Sequence, residues 1–110
     1  MAELVKGDVV VLPFPFSDLS ASKRRPALVL ATPDGDDVIL CQITSQLRAD
    51  RYSVALAASD FQSGRLVQTS NIRPNKVFTG DRKLVLYTAG RLRSGKVSEV
   101  VGRLVEILHA

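Results

Sequence analysis

Four short runs of β-branched and aliphatic residues constrain the fold of this chain more than any other feature. Charged residues, glycine or proline bound each run, which is typical of strands in a buried sheet rather than of long helices. The segment RYSVAL adds an alternating run, in which Tyr52, Val54 and Leu56 share one face. The four runs are DVVVLPF (8–14), RPALVLA (25–31), DVILCQIT (37–44) and KLVLYTAG (83–90). They predict a mostly antiparallel meander.

The connection between the second and third runs predicts which strands pair. Its segment TPDGD supplies Pro33 and the Asp34-Gly35 pair, residues that favour a tight turn. An antiparallel hairpin about this turn makes Arg25 and Thr44 neighbours, because the two residues lie at nearly equal distances from its centre.

The C-terminal segment has a helical pattern. From Ser94 onward, apolar residues recur on one face of a helix, and Ser94 is a candidate N-cap. The apolar positions are Val97, Val100, Val101, Leu104, Val105 and Leu108. Residues 58–81 predict two short strands, with Pro74 interrupting any long one. The expected fold is a small barrel-like sheet of five to seven strands with one amphipathic helix packed across it.

Composition limits the class of protein. A chain of 110 residues, 45% hydrophobic and 24% charged, is expected to form one domain over residues 1–110 with a packed core. A formal net charge of +4 suits a nucleic acid or an acidic protein partner. Because the first apolar run breaks at Pro13, we expect neither a signal peptide nor a membrane span.

Cys41 is the single cysteine and lies within the run VILCQI. A lone cysteine cannot form an intrachain disulfide, so a buried, reduced thiol is expected, with a reactive thiol as the alternative. A reduced thiol fits a cytoplasmic location.

Several kinds of catalytic site are excluded by residue type. The only histidine is His109, so neither a Ser-His-Asp triad nor a histidine pair can form. One cysteine and one histidine cannot complete a zinc site, and the acidic residues at 34, 36 and 37 fit turn chemistry better than metal binding. The scattered glycines form no phosphate-binding loop. We therefore expect no metal and no cofactor.

Cationic and hydroxyl-bearing segments remain. They are Lys23-Arg24-Arg25, Thr44-Ser45-Gln46 and Ser70-Asn71-Ile72-Arg73. The expected Arg25–Thr44 pair suits a phosphate oxygen, because a guanidinium is a planar, bidentate donor and a hydroxyl adds a second hydrogen bond. The alternative is that both are solvated residues at the rim of the sheet.

An ordered set of fragments resembles the MazF/PemK family of toxins. The fragments are GDVVVLPFPFSD, KRRPALVLA, CQITSQ, SNIRPNKVFT and AGRLRSGKVSEVVGRLVEIL, and the resemblance runs from about Gly7 to Leu108. It implies a small SH3-like barrel that forms a homodimer, cleaves single-stranded RNA without a metal and is silenced by an antitoxin protein. The implied products carry 2′,3′-cyclic phosphate and 5′-hydroxyl ends.

The same resemblance assigns site residues. Arg25 matches the catalytic arginine of the family and Thr44 the catalytic threonine. Because guanidinium groups stay protonated in proteins, we assign Arg25 mainly to stabilising charge on the pentacoordinate phosphorus, with Thr44 as a second donor.

The other expected RNA contacts flank this pair. Lys23 and Arg24 would hold neighbouring phosphates, and Ser45 and Gln46 would read a base edge. Phe14 or Phe16 would stack on an unpaired base, with core packing as the alternative. Ser70 and Arg73 match a family segment near the active groove, although Arg73 precedes Pro74 and has a purely structural alternative.

Two other functions remain open at this stage. A topoisomerase poison of the CcdB type shares the fold, but that class depends on C-terminal residues that typically include tryptophan, and this chain has none. A non-catalytic SH3-like module that binds nucleic acid or peptide would tolerate loss of Arg25 or Thr44 with only a modest loss of affinity.

Overall fold

One antiparallel sheet of seven strands forms the body of the protein in a computed structural model that describes residues 3–14, 23–46 and 51–110. The elements are β1 (Asp8–Phe14), β2 (Lys23–Ala31), β3 (Asp37–Thr44), β4 (Val54–Leu56), β5 (Phe61–Gly64), β6 (Ser70–Asp81), β7 (Tyr87–Leu92) and α1 (Ser94–His109). The strand order is β4-β6-β3-β2-β1-β7-β5. The mainly β fold with a C-terminal helix predicted from the sequence is confirmed.

The central strands are buried on both faces, which explains why their sequences are continuous apolar runs rather than alternating ones. On one face, Val9 of β1 packs with Leu28 of β2 and Cys41 of β3. On the other face, Val10 packs in a second cluster that contains Leu40. The edge strands β4 and β5 both contribute to the first cluster, so the sheet curls into a half-barrel around it.

Helix α1 covers the first cluster with the N-terminal half of its apolar stripe. Val97 and Val100 are buried, whereas Val105 and Leu108 remain 46% and 74% exposed. The predicted N-cap is off by one residue. Arg93 is the N-cap and Ser94 is the first helical residue, because the turn out of β7 places the carbonyl of Arg93 to accept from the amide of Val97.

Two predicted strands are shorter than their apolar patterns. The run KLVLYTAG becomes a strand only at Tyr87, because residues 82–84 form a 3₁₀ turn whose first amides are capped. The carboxylate of Asp81 accepts from the backbone N–H of Lys83 at 2.8 Å. Of RYSVAL, only Val54–Leu56 is a strand.

Pro74 does not interrupt its strand, contrary to the prediction from sequence. It lies inside the twelve-residue strand β6, at a bulge opposite β3. Cys41 pairs with Val77 and Gln42 with Arg73, so residues 74–76 have no partner in β3. Proline is tolerated there because a bulged residue donates no ladder hydrogen bond.

Two glycines allow β5 and β7 to approach closely. Gly64, at φ +72°, pairs with Gly90, and a Cβ on Gly90 would lie 2.5 Å from the carbonyl oxygen of Ser63. By contrast, a Cβ on Gly102, on the surface of α1, would meet nothing within 4 Å.

We predict opposite effects of alanine at these two kinds of position. Gly90→Ala should lower the free energy of unfolding by about 1–3 kcal/mol, because the added methyl group overpacks the β5–β7 contact. Gly102→Ala should raise it by about 1 kcal/mol through helix propensity. Urea unfolding measures both, and equal destabilisation by the two variants would contradict this account.

Candidate active site

The β2–β3 hairpin positions Arg25 and Thr44, the two catalytic residues predicted from the sequence. Ala27 pairs with Gln42 and Leu28 with Cys41, and the same register continued by two residues brings Arg25 opposite Thr44. The turn between the strands contains Gly35 at φ +87°, a conformation that favours glycine. A β-bulge between Val29 and Ala31 shifts the register by one residue. The turn and this bulge together therefore bring Arg25 opposite Thr44, nineteen positions away in the sequence.

Arg25 and Thr44 line one open cavity of about 360 Å³. Three cations stand in its wall, together with hydroxyl groups from three segments of the chain. The cations are Lys23, Arg24 and Arg25, and the hydroxyl-bearing residues are Thr44, Ser45 and Ser70. Successive side chains along a strand point to opposite faces of the sheet. Arg25 and Thr44 therefore lie on one face, and their cavity-lining neighbours Pro26 and Ile43 lie on the other. The cavity includes both sets because it lies where the β2–β3 ladder ends.

Charge, and not size, distinguishes this cavity. Others of 340 to 380 Å³ occur in the described part of the chain. One contains Arg82 with Glu3, and another contains Arg103 with Glu106. The described lining of the cavity at Arg25 includes neither aspartate nor glutamate. Cations clustered around a concave surface, with no acid among the described residues beside them, favour the binding of an anion.

The hydroxyl of Thr44 is oriented by the backbone that follows it. Its Oγ1 accepts a hydrogen bond from the backbone N–H of Gln46 at 3.1 Å. This contact occupies a lone pair of the oxygen and leaves the hydroxyl proton available for donation. Thr44 is thus prepared to act as a hydrogen-bond donor towards an anion.

The flanking residues predicted from the sequence divide into two groups. Lys23, Arg24 and Ser45 are exposed and line the cavity, so they can reach an extended ligand. Gln46 is exposed immediately beyond Ser45 and lies outside the lining.

The two residues of the SNIR segment take different positions. Ser70 lines the cavity but is only 4% exposed, and its Oγ donates to the carbonyl of Gln68 at 2.9 Å. Its hydroxyl therefore holds the chain between β5 and β6. Arg73 is half-buried beside the Pro74 bulge and does not line the cavity.

Phe14 is corrected to a core residue. It is 5% exposed and packs edge-to-face on Phe78, with ring centroids 5.0 Å apart. Its position on β1 places it with Leu12 in the second core cluster, so its ring is not presented to an RNA base. Phe16 lies outside the described residues.

Two parts of the cavity wall are not predicted from the sequence. The segment Leu66–Gln68 crosses from β5 to β6 and carries no chemical motif that would mark it. Tyr87 is the first residue of β7 and is 55% exposed, which is a large exposed fraction for an aromatic residue beside the core. A signal for Tyr87 existed in the apolar run KLVLYTAG, where it is the only aromatic residue, but its pairing with β1 is not visible in the sequence.

Burial makes Cys41 a structural residue. Desolvation raises the pKa of its thiol to about 12, so the thiol stays protonated at neutral pH and is a poor nucleophile. Within the described ranges, no three residues among histidine, cysteine, aspartate and glutamate cluster as metal ligands. No described helix is long and apolar enough to cross a membrane.

The sheet curled into a half-barrel, the helix packed on it and a cavity whose described charged residues are all cations define a small, mainly β protein with a basic cavity. The chain belongs to the family of PemK-like, MazF-like toxins of type II toxin–antitoxin systems, whose model matches residues 5–108. That match covers almost the whole sequence and confirms the resemblance noted above.

Solved structures share this fold. An endoribonuclease in complex with its cognate antitoxin from Mycobacterial species aligns over 97% of this chain and 96% of its own, at 17% identity and a TM-score of 0.76. A MazE–MazF complex from Deinococcus radiodurans aligns over 94% of each chain, at 24% identity and a TM-score of 0.75. An endoribonuclease from Mycobacterial species aligns over 99% of this chain and 94% of its own, at 18% identity and a TM-score of 0.75. No curated protein matches the chain significantly.

Proposed function

We propose that this toxin is an endoribonuclease that cleaves single-stranded mRNA in a sequence-specific manner without a metal. The observation that carries the proposal is the basic cavity, with no acid among its described lining residues, in which the β2–β3 register brings Arg25 opposite Thr44. The relatives described as endoribonucleases share the fold around this hairpin.

The residues present suit a transfer within the RNA itself. The ribose 2′-oxygen attacks the adjacent phosphorus and loses its proton to solvent water. The bond from phosphorus to the 5′-oxygen breaks, and that oxygen takes a proton from water. The products are a 2′,3′-cyclic phosphate and a 5′-hydroxyl. Since the nucleophile belongs to the substrate, the protein has only to hold the phosphate and stabilise the charge that develops on it.

Arg25 and Thr44 divide that task. The Arg25 guanidinium binds two phosphate oxygens and offsets the charge on the pentacoordinate phosphorus. Thr44 donates its hydroxyl proton to a phosphate oxygen, because its own oxygen is engaged by the Gln46 amide. DNA lacks the attacking hydroxyl and is not a substrate.

The flanking residues extend the contact along the strand. Lys23 and Arg24, exposed beside Arg25, hold the phosphates on either side of the scissile one. Ser45 and Gln46, exposed after β3, read the edge of an adjacent base. We assign sequence preference to these two residues because phosphate contacts carry no base information.

An antitoxin protein is the natural inhibitor of such a site. The family is that of type II toxin–antitoxin systems, and a structural relative is described in complex with its cognate antitoxin. An acidic segment would complement the cations around Arg25 and exclude RNA. We place the protein in the cytoplasm, where mRNA is available and the Cys41 thiol stays reduced.

The first prediction concerns turnover. Purified protein should cut single-stranded RNA in the presence of EDTA, leave 2′,3′-cyclic phosphate ends and spare DNA of the same sequence. Arg25→Ala should lower kcat by about 100-fold or more, because a preorganised donor to the transition state is lost. Arg103→Ala, which removes an arginine from α1 remote from the cavity, is the control for net charge. An unchanged cleavage rate in Arg25→Ala would contradict the proposed role of Arg25 in the mechanism.

Thr44 offers a matched pair for the same assay. Thr44→Val keeps the shape and loses the hydroxyl, so it should lose most activity, whereas Thr44→Ser should keep it. If the wild type shows no turnover and Thr44→Val only weakens RNA binding, the result would support a non-catalytic nucleic-acid-binding module instead. Inhibition of a topoisomerase without RNA cleavage would support the CcdB-type alternative.

We also propose that the active form is a homodimer. Support comes from apolar side chains left exposed on the surface, among them Leu84, Leu86, Val105 and Leu108, which a second copy would cover. Light scattering should give twice the 12.0 kDa mass of one chain at the concentrations used for cleavage. A fully active protein with the mass of one chain would contradict the dimer.

A further inference from the structure

Tyr87 is the one aromatic residue in the described lining of the cavity that contains Arg25 and Thr44. It begins β7 and pairs with Val11 of β1. More than half of its side chain, 55%, is exposed. None of the functions assigned above uses this ring.

The register of the sheet places Tyr87 in one row with Pro26 and Ile43, the strand neighbours of Arg25 and Thr44. Val11 pairs with Tyr87 on one side and with Pro26 on the other. Residues directly opposite each other in neighbouring strands share a face, so the three form one row across β7, β1 and β2. The β2–β3 register extends this row to Ile43. All four residues line the cavity.

The residues of this row differ in solvent exposure. Val11 and Ile43 are 6% and 2% exposed, so they form a low, apolar floor. Tyr87 stands exposed at the end of that floor. Neighbouring strands are about 4.8 Å apart, which puts the Tyr87 backbone about 10 Å from that of Pro26 and of its neighbour Arg25. A nucleotide next to the scissile phosphate can cover that distance.

The two tyrosines of the chain differ in their surroundings. The hydroxyl of Tyr52 accepts a hydrogen bond from Arg51, whose guanidinium lies 5.2 Å from the Tyr52 ring centroid. No described residue forms a hydrogen bond with the hydroxyl of Tyr87 or covers its ring as Arg51 covers that of Tyr52. Tyr87 lies between two cavities, the one that contains Arg25 and a second one that contains Glu3 and Arg82. The described charged residues of the first are all cations.

We propose that the Tyr87 ring is a stacking platform for the unpaired RNA base next to the scissile phosphate. This inference rests on the proposed ribonuclease function. Proteins bind single strands by combining cations that follow the phosphates with aromatic rings on which bases stack. Here Lys23, Arg24 and Arg25 supply the first and Tyr87 the second. Because every base has a π-face, Tyr87 fixes the position of the strand rather than its sequence.

Steady-state kinetics of RNA cleavage distinguish the contribution of the Tyr87 ring from that of its hydroxyl. Tyr87→Leu should raise KM about tenfold, with a smaller change in kcat, because stacking holds the strand and does not stabilise the transition state. Tyr87→Phe keeps the ring and should behave like the wild type. Tyr52→Leu, a matched substitution at the other tyrosine, should leave both constants unchanged.

Fluorescence gives a readout that does not depend on cleavage. The chain has no tryptophan and two tyrosines, so in Tyr52→Leu the emission comes from Tyr87 alone. An uncleavable, mixed-sequence 2′-O-methyl single strand should quench that emission on binding. In Tyr87→Phe the remaining Tyr52 should be quenched no more than free tyrosine at the same absorbance.

The outcomes distinguish this inference from the proposed function. RNA cleavage with an unchanged KM in Tyr87→Leu and no quenching would overturn the platform and leave the ribonuclease intact. If the single strand quenches the Tyr87 emission but the wild-type protein does not cleave RNA, the platform is retained and the ribonuclease function is overturned. Equal losses in Tyr87→Phe and Tyr87→Leu would transfer the role to the hydroxyl and overturn stacking.

Discussion

The antiparallel register of β2 and β3 is the constraint on which the rest of the site depends. It joins Arg25 and Thr44, which come from opposite ends of a hairpin, through backbone hydrogen bonds rather than through any contact of their own. The register includes a β-bulge between Val29 and Ala31, and a further slip by one residue would move Arg25 out of line with Thr44. The fully buried Leu28 and Cys41 oppose such a slip by packing on the same face.

Strand β1 extends this order to the other side of the cavity. It pairs with β2 and β7 at once, so Tyr87 has a defined position relative to the hairpin. Near the start of β1, the buried carboxylate of Asp8 accepts hydrogen bonds from the Val5 amide and from Nε of Arg91, each at 2.9 Å. The contact with Arg91 joins β1 to β7. Three successive strand pairings, β7–β1, β1–β2 and β2–β3, therefore position the site. Its buried floor leaves the cations and the Tyr87 ring to contact the ligand.

Local signals were sufficient to predict part of this arrangement from the sequence. The Asp34-Gly35 turn specified the hairpin, and helical spacing after Ser94 specified α1, because both depend on residues close in the chain. Phe14 was ambiguous, since an aromatic residue after an apolar run fits a core or a base platform equally well. Only the pairing of β1 and the contact with Phe78 decide for the core.

The remaining differences arise from contacts between distant segments. Pro74 was expected to end a strand, but β3 accommodates it through a bulge that no local pattern announces. Tyr87 escaped notice because its place in the cavity follows from β7 pairing with β1, more than seventy residues earlier. The absence of acids from the described cavity lining is likewise a property of the assembled wall. Residue types predicted the chemistry, whereas the register and curl of the sheet determined which residues share it.

The central claim is that Arg25 and Thr44 act on a phosphate attacked by the neighbouring ribose. Its most direct test is an RNA in which one nucleotide, at the mapped cleavage position, carries a 2′-deoxyribose. We predict that this strand binds as the unmodified RNA does, is not cut at that position and competes with the unmodified RNA for the site. Cleavage of the modified position at the normal rate would show that the nucleophile is not the ribose hydroxyl and would contradict the mechanism.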